Sequence, residues 1–262
     1  VKNRRWSAEM CEICGVKEEW LPALKESFSP CGKLKGEIAE QLGLSTDVVV
    51  CAGAGDNAAA AVGTGTVKDG SCNISLGTSG TVFVSSDAFS VDRQNALHSF
   101  CHANGRYHLM GCILSAASCN AWWSDNILHT ADYAAEQAGL EETLGKNDVY
   151  FLPYLMGERS PHNDVNARGA FLGMRPDTTR KQMTLAVLEG VTFALKDCVE
   201  IAKSNGVNIS STRICGGGAK SALWRQIVAD VLNIPVERPC VEEGPAYGAA
   251  MLAMVGCGEY ES

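Results

Sequence analysis

Apolar positions recur every three or four residues across 179–205, with Leu185, Leu188, Val191, Leu195 and Val199 on one stripe. That spacing predicts a long amphipathic helix, closed by Gly206. Shorter segments read as strands at 71–76 and 81–85, joined by a tight turn, and at 107–114, 149–155, 169–174, 212–215 and 236–238. The run 47–52 is apolar throughout, as in a strand buried on both faces. Further helices are expected at 34–42, ended by Gly43, from Asn57 to Val62, at 115–128 with Trp122 and Trp123, at 219–232 and at 244–255. Residues 1–46 read as mixed helix and loop, and 157–168 as a polar loop. The alternation of strands and helices predicts an α/β class with a mixed sheet flanked by helices. No fixed-period repeat or low-complexity tract interrupts it.

Composition narrows the partners. The chain has 262 residues, 46% of them hydrophobic, which is enough for a sizeable core. No run reaches the roughly 18 apolar residues of a membrane span. A net charge of −8 argues against an extended nucleic-acid surface, which needs clustered Lys and Arg. It leaves room for a single nucleotide, held by backbone N–H groups and a cation. The basic start, Val1 to Arg5, leads into no apolar segment, so it does not read as a signal peptide, and Val1 need not be the natural start. Twelve cysteines without an export signal are expected to be reduced, buried thiols of a cytoplasmic protein. Cys11 and Cys14 form a CxxC with no second pair to complete a zinc ribbon. His98, Cys101 and His102 fit strand packing at least as well as a metal site, and no metal is expected at either place.

The candidate chemistry lies in three glycine turns that each follow a strand: Gly53-Ala54-Gly55-Asp56, Gly77-Thr78-Ser79-Gly80 and Gly216-Gly217-Gly218. A strand ending in glycine lets backbone approach an anion, and a helix starting there offers free N–H donors. One such turn is ordinary loop chemistry; three together point to a phosphate-binding cleft. None has Walker A or Rossmann spacing. Asp56 reads either as the cap of the helix opening at Asn57 or as a base aimed from the mouth of a strand. Glu158, Arg159, His162 and Asp164 read as a solvated loop. One of Trp122 and Trp123 is expected in the core. The run Glu242-Glu243-Gly244-Pro245-Ala246, with Gly248, reads as a closely packed small-residue helix.

These turns resemble those of a known family. Asp56-Asn57-Ala58-Ala59, Ile74 to Gly80 and Cys215 to Ala219 are similar to the catalytic and nucleotide loops of the FGGY carbohydrate kinases. Gly169 to Met174, continuing to Leu188-Glu189-Gly190, resembles that family's C-terminal motif. The segments 98–102, 114–119 and 151–162 are nearest to members that phosphorylate D-xylulose, and the resemblance runs from about Trp6 to the end. It implies an actin-like ATPase, RNase H-like fold in two domains, with ATP and sugar between them. Residues 1–60 would close the first domain, most of which would precede Val1, and 61–262 would form the second, with a short tail beyond Ser262.

The resemblance also implies roles. Asp56 would be the base that takes the proton of the attacking hydroxyl. Gly77, Thr78 and Ser79 would cradle the β- and γ-phosphates, Gly217 and Gly218 would approach the α-phosphate and adenosine, and Gly216 would serve the turn. Ser221 would lie near the adenine. Mg²⁺ would accompany ATP, with no metal ligand evident beyond Asp56. D-xylulose is the expected substrate, with gluconate, glycerol or ribulose as alternatives and a non-catalytic actin-like nucleotide-binding module as the rival class. Residues 1–262 alone are expected to have little kinase activity, and a homodimer is an expected assembly.

Overall fold

The computed structural model describes residues 1–241 and 244–261; Glu242 and Glu243 of the small-residue run lie outside the described residues. The chain begins with α1 (Ala8–Ile13), β1 (Pro30–Lys33), α2 (Gly36–Leu42), β2 (Val49–Cys51) and α3 (Asp56–Gly63). There follow β3 (Cys72–Leu76), β4 (Gly80–Ser86), β5 (His98–Cys101), β6 (Tyr107–Ile113), α4 (Ala117–Ala121) and α5 (Tyr133–Gln137). The last part holds β7 (Tyr150–Leu152), β8 (Ala170–Leu172), α6 (Arg180–Ser204), β9 (Thr212–Cys215), α7 (Ala222–Leu232), β10 (Val236–Glu237) and α8 (Gly244–Gly256).

Six strands form one mixed sheet in the order β10-β9-β3-β4-β6-β5. β10, β9 and β3 are parallel neighbours, and β4, β6 and β5 continue it antiparallel. Side chains alternate between the faces of a strand. Cys72, Ile74, Leu76, Val82, Val84, Leu109 and Ile113 therefore share one face, and all join the main core. Against that face lies α6, whose predicted stripe is buried without exception. Thr179 and Gln182 form a capping box at its start, which satisfies N–H groups that a helix end leaves open. Burying each large aliphatic side chain on this face contributes about 1.5–3 kcal/mol. Two glycines permit the close approach: a β-carbon at Gly111 would stand 2.8 Å from Cys198, and one at Gly190 would overlap the Phe151 carbonyl. Trp224 on α7 donates its indole N–H to Leu188 O and Thr192 Oγ1, both at 3.1 Å, which pins α7 to α6.

α3 and α8 cross backbone to backbone. A β-carbon at Gly248 would overlap the Ala59 carbonyl, and one at Gly63 would lie 2.6 Å from Gly244 O. The small-residue pattern thus serves packing, as expected.

Several boundaries differ from expectation. β2 is half-exposed, with Val50 on the surface, rather than fully buried. Among the described residues its one strand partner is β1, which lies in the stretch read as helix and loop, and the two form a separate two-stranded sheet. The helix expected across 115–128 starts at Ala117 and widens into a π-helix over Trp122–Ile127. There Trp123 is buried and donates to Thr184 Oγ1 at 2.9 Å, while Trp122 stays half-buried, stacked on Phe151. Residues 217–220 form a 3-10 turn rather than the start of α7. The cysteines are all free, but only Cys72, Cys112, Cys119 and Cys198 are buried; Cys51 and Cys215 are intermediate. Among the described residues no helix is long and apolar enough to cross a membrane.

Candidate active site

The sheet brings two of the three glycine turns together. β3 and β9 run parallel, with Ser75 level with Cys215, so the turns that follow them emerge side by side. Contact is direct: a β-carbon at Gly216 would stand 2.7 Å from Leu76 O and 3.0 Å from Gly77 N. Gly216 also holds φ at +89°, a conformation that favours glycine. Beside it Gly217 is exposed and faces open space, while Gly218 tucks under Leu76 and the Trp224 ring.

The β3–β4 turn is Gly77-Thr78-Ser79, since Leu76 pairs with Gly80. The carbonyls of Gly77 and Thr78 are claimed by the start of α4. Ala117 N donates to Gly77 O at 2.8 Å, and Thr78 O accepts from Ala116 N at 2.9 Å, Ser118 N at 3.4 Å and Ser118 Oγ at 2.7 Å. The Thr78 and Ser79 N–H groups take no part in the described hydrogen bonds of turns and loops, and Thr78 is exposed. Free donors on a glycine turn suit an anion.

Asp56 is the first residue of α3, with Gly55 at the N-cap position. Its Oδ1 accepts from Asn57 N at 2.8 Å and from Asn57 Nδ2 at 3.2 Å. Among the described residues Oδ2 takes no hydrogen bond, and the side chain is exposed. One oxygen thus bonds the adjacent Asn57 and the other is free; with Gly55 at the N-cap and no side-chain cap bond, Asp56 does not cap α3. At the far end of α3, Gly65 lies against the Arg213 guanidinium of β9.

Ser221 is the N-cap of α7: its Oγ accepts from Trp224 N at 3.1 Å and donates to Gln137 Oε1 at 2.6 Å. Its hydroxyl is therefore already engaged in holding α7 and α5. His102, from the possible metal cluster, bonds Thr66 O through Nε2 at 2.9 Å and accepts from Asn104 N at Nδ1. Among the described residues no group of three His, Cys, Asp or Glu could hold a metal ion.

The loop read as solvated is not so throughout. Glu158 is only 2% exposed. Its Oε1 accepts from Leu114 N at 2.9 Å and Arg159 N at 2.8 Å, and Oε2 is buried with no partner among the described residues. Desolvation pushes its carboxyl above the usual range, against the pull of those two N–H groups and of His162 and Arg159. Ser160 is also buried, bonded to Ala96 O and Cys112 O. Glu158 thereby secures Leu114, at the head of the turn whose next residues bond Gly77 and Thr78. The only sequence signal for this is a short loop bracketed by Gly157 and Pro161.

Residues 72–257 match the model for the C-terminal domain of the FGGY family of carbohydrate kinases, and residues 1–63 match its N-terminal domain. The chain belongs to the FGGY carbohydrate kinase family. Its fold is that family's actin-like ATPase architecture. The xylulose kinase of Escherichia coli K12 is 40% identical over 264 residues, covering 100% of this chain and 54% of that protein. The solved xyloylose kinase of Brucella ovis is 42% identical with a TM-score of 0.93, covering 99% of this chain and 54% of the other. A gluconate kinase from Lactobacillus acidophilus superposes with a TM-score of 0.92 at 27% identity, over 100% of this chain and 54% of that one. The chain spans about half the length of these FGGY relatives.

Proposed function

We propose that this FGGY chain carries the base and the nucleotide loops of an ATP-dependent kinase that converts D-xylulose to D-xylulose 5-phosphate. The observation behind the reading is the pairing of two glycine turns at adjacent strand ends, one of them with unclaimed N–H donors. The sugar rests on whole-chain similarity to xylulose kinases. A gluconate kinase of the same fold keeps gluconate as the second substrate to test.

In this reading Asp56 Oδ2 accepts the proton as the sugar hydroxyl oxygen attacks the γ-phosphorus and ADP departs. Phosphoryl transfer asks mainly for positioning and for stabilised charge. The N–H groups and hydroxyls of Thr78 and Ser79, with Gly77, would meet the β- and γ-phosphates. Gly217, exposed and without a side chain, would admit the α-phosphate and adenosine, Gly218 would approach them through its backbone, and Ser221 would border the adenine through its place at the head of α7. Mg²⁺ would neutralise charge between the phosphates, held largely by phosphate oxygens and water. The far end of α3 abuts Arg213 near the start of β9. We therefore place its Asp56 end toward the glycine turns.

We also place a domain boundary near residue 60, which the two family models support by dividing between residues 63 and 72. Exposed apolar side chains at Ile13, Trp20, Leu42 and Val50 fit contact with more polypeptide. The same side chains suit self-association, such as a homodimer, which size-exclusion chromatography would detect. ATP as substrate fits an enzyme of the cytoplasm.

The test is turnover of the full-length protein on D-xylulose, gluconate, glycerol and ribulose, with and without Asp56→Ala. The substitution should lower kcat by about a hundred- to ten-thousand-fold. Near-wild-type turnover would remove Asp56 as the base, and preference for another substrate would remove D-xylulose. ATP binding with no turnover on any substrate would favour the non-catalytic module. Residues 1–262 alone should show little phosphorylation, since the cleft needs both domains.

A further inference from the structure

Away from the glycine turns, cysteines from separate segments meet where β1, β2 and the end of α8 converge. The register of the small sheet sets Pro30 opposite Cys51, which brings Cys31 close. The Cys51 sulfur lies against the α-carbon of Gly256, where a β-carbon would overlap it, and the Phe28 carbonyl is 2.5 Å from the same point. Only glycine lets the end of α8 settle on β2 this closely. The next residue is Cys257, exposed to solvent and one position beyond the glycine against which half-buried Cys51 packs. Both thiols are free.

We propose that Cys51 and Cys257 form a redox modification site, a thiol pair that closes to a disulfide by exchange with a small oxidised disulfide such as oxidised glutathione. Cys257 is the sulfur that solvent reaches first. Its thiol gives up a proton to water, and the thiolate attacks one sulfur of the small disulfide, releasing one small thiol. Cys51 then loses its proton and attacks the Cys257 sulfur. The mixed disulfide breaks, the second small thiol leaves and the Cys51–Cys257 bond remains. Two protein thiols are oxidised and one small disulfide is reduced to two thiols, so the exchange balances. Burial and the neighbouring thiols push the Cys51 thiol up, which fits it to the second, intramolecular step.

The place gives the bond a consequence. β2 leads through Gly53 and Gly55 to Asp56, while α8 packs on α3, the helix that Asp56 begins. A disulfide would tie the strand before Asp56 to the helix that braces it, closing a loop of most of the chain. None of this depends on the kinase reading.

The test uses the 262-residue chain with oxidised glutathione, alkylation of remaining thiols and peptide mapping without reduction. A cross-linked peptide joining Cys51 and Cys257 is expected in the wild type and in Cys31→Ser, and its absence in Cys51→Ser and Cys257→Ser. Oxidation should raise Tm, reversibly with dithiothreitol, and this shift should vanish in Cys257→Ser. Glutathione left on Cys257 with Cys51 still alkylatable would overturn the proposal. So would a Cys31–Cys51 bond in its place.

Discussion

Removing the Glu158 carboxyl should destabilise the fold, and replacing it with an amide should reveal a pH dependence of defined sign. Glu158 Oε1 takes the N–H groups of Leu114 and Arg159 in a site that is almost fully buried. Glu158→Ala leaves both donors without that acceptor. Each stranded donor costs about 1–3 kcal/mol, so the loss is about 2–6 kcal/mol, a fall in Tm of roughly 5–25 °C. Glu158→Gln keeps an acceptor oxygen and exchanges one unpartnered buried atom, Oε2, for another, so its cost at acid pH should stay under about 1 kcal/mol.

The pH dependence follows from desolvation, which raises the folded-state carboxyl above its ordinary value of 4.5. A raised folded pKa means that the native state holds the proton more tightly than the unfolded chain. The associated stability is complete below the unfolded value and is lost as pH rises through the folded value. The amide of the Glu158→Gln variant has no such proton to lose. The Tm of Glu158→Gln minus that of the wild type should therefore increase between about pH 4 and about pH 8. Thermal melts followed by intrinsic tryptophan fluorescence would measure it. A difference that shrinks with pH would show that the two N–H groups, with Arg159 and His162, hold the carboxylate ionised. An Ala variant as stable as wild type would sink the packing account.

Two further outcomes bear on how the site is held. Gly248→Ala puts a methyl into the Ala59 carbonyl, and the helices must separate, at a cost of about 1–3 kcal/mol; denaturant melts should show a lowered midpoint, and an unchanged one would contradict the close crossing. Ser221→Ala removes the α7 cap and the bond to Gln137, for about 1–2 kcal/mol; loss of nucleotide affinity without loss of stability would instead give the hydroxyl a direct ligand contact.

The parts legible in the sequence are those whose signal is local. The 3.6-residue stripe and Gly206 delimit α6 within a residue or two, and the segment 212–215 is β9 itself. β2 shows the limit of that reading. An apolar run reports what a strand contains but not what covers it: among the described residues β2 pairs only with β1, and the end of α8 reaches it from one side. Glu158 escapes local reading for a related reason. A charged residue in a polar loop is solvated by default, and the Leu114 N–H that this carboxylate accepts lies 44 residues away. At the site, each glycine turn is visible as a turn. That two of them stand together depends on β3 lying beside β9, a pairing between segments about 140 residues apart that no local pattern encodes. Resemblance puts Ser221 near the adenine, while its engagement by Gln137 is a tertiary fact.

The clamped carbonyls of Gly77 and Thr78 carry one more consequence. Four hydrogen bonds from Ala116, Ala117 and Ser118 fix the direction in which those peptide dipoles point. The polarity of the turn is thus set during folding, before any ligand arrives. A negative group meeting the free N–H side would find the dipoles already aligned and would spend nothing on turning them. A positive group would meet the same dipoles reversed. The turn sorts visitors by the sign of their charge before it can sort them by shape, and loosening the head of α4 would blur that sorting without altering a residue of the turn itself.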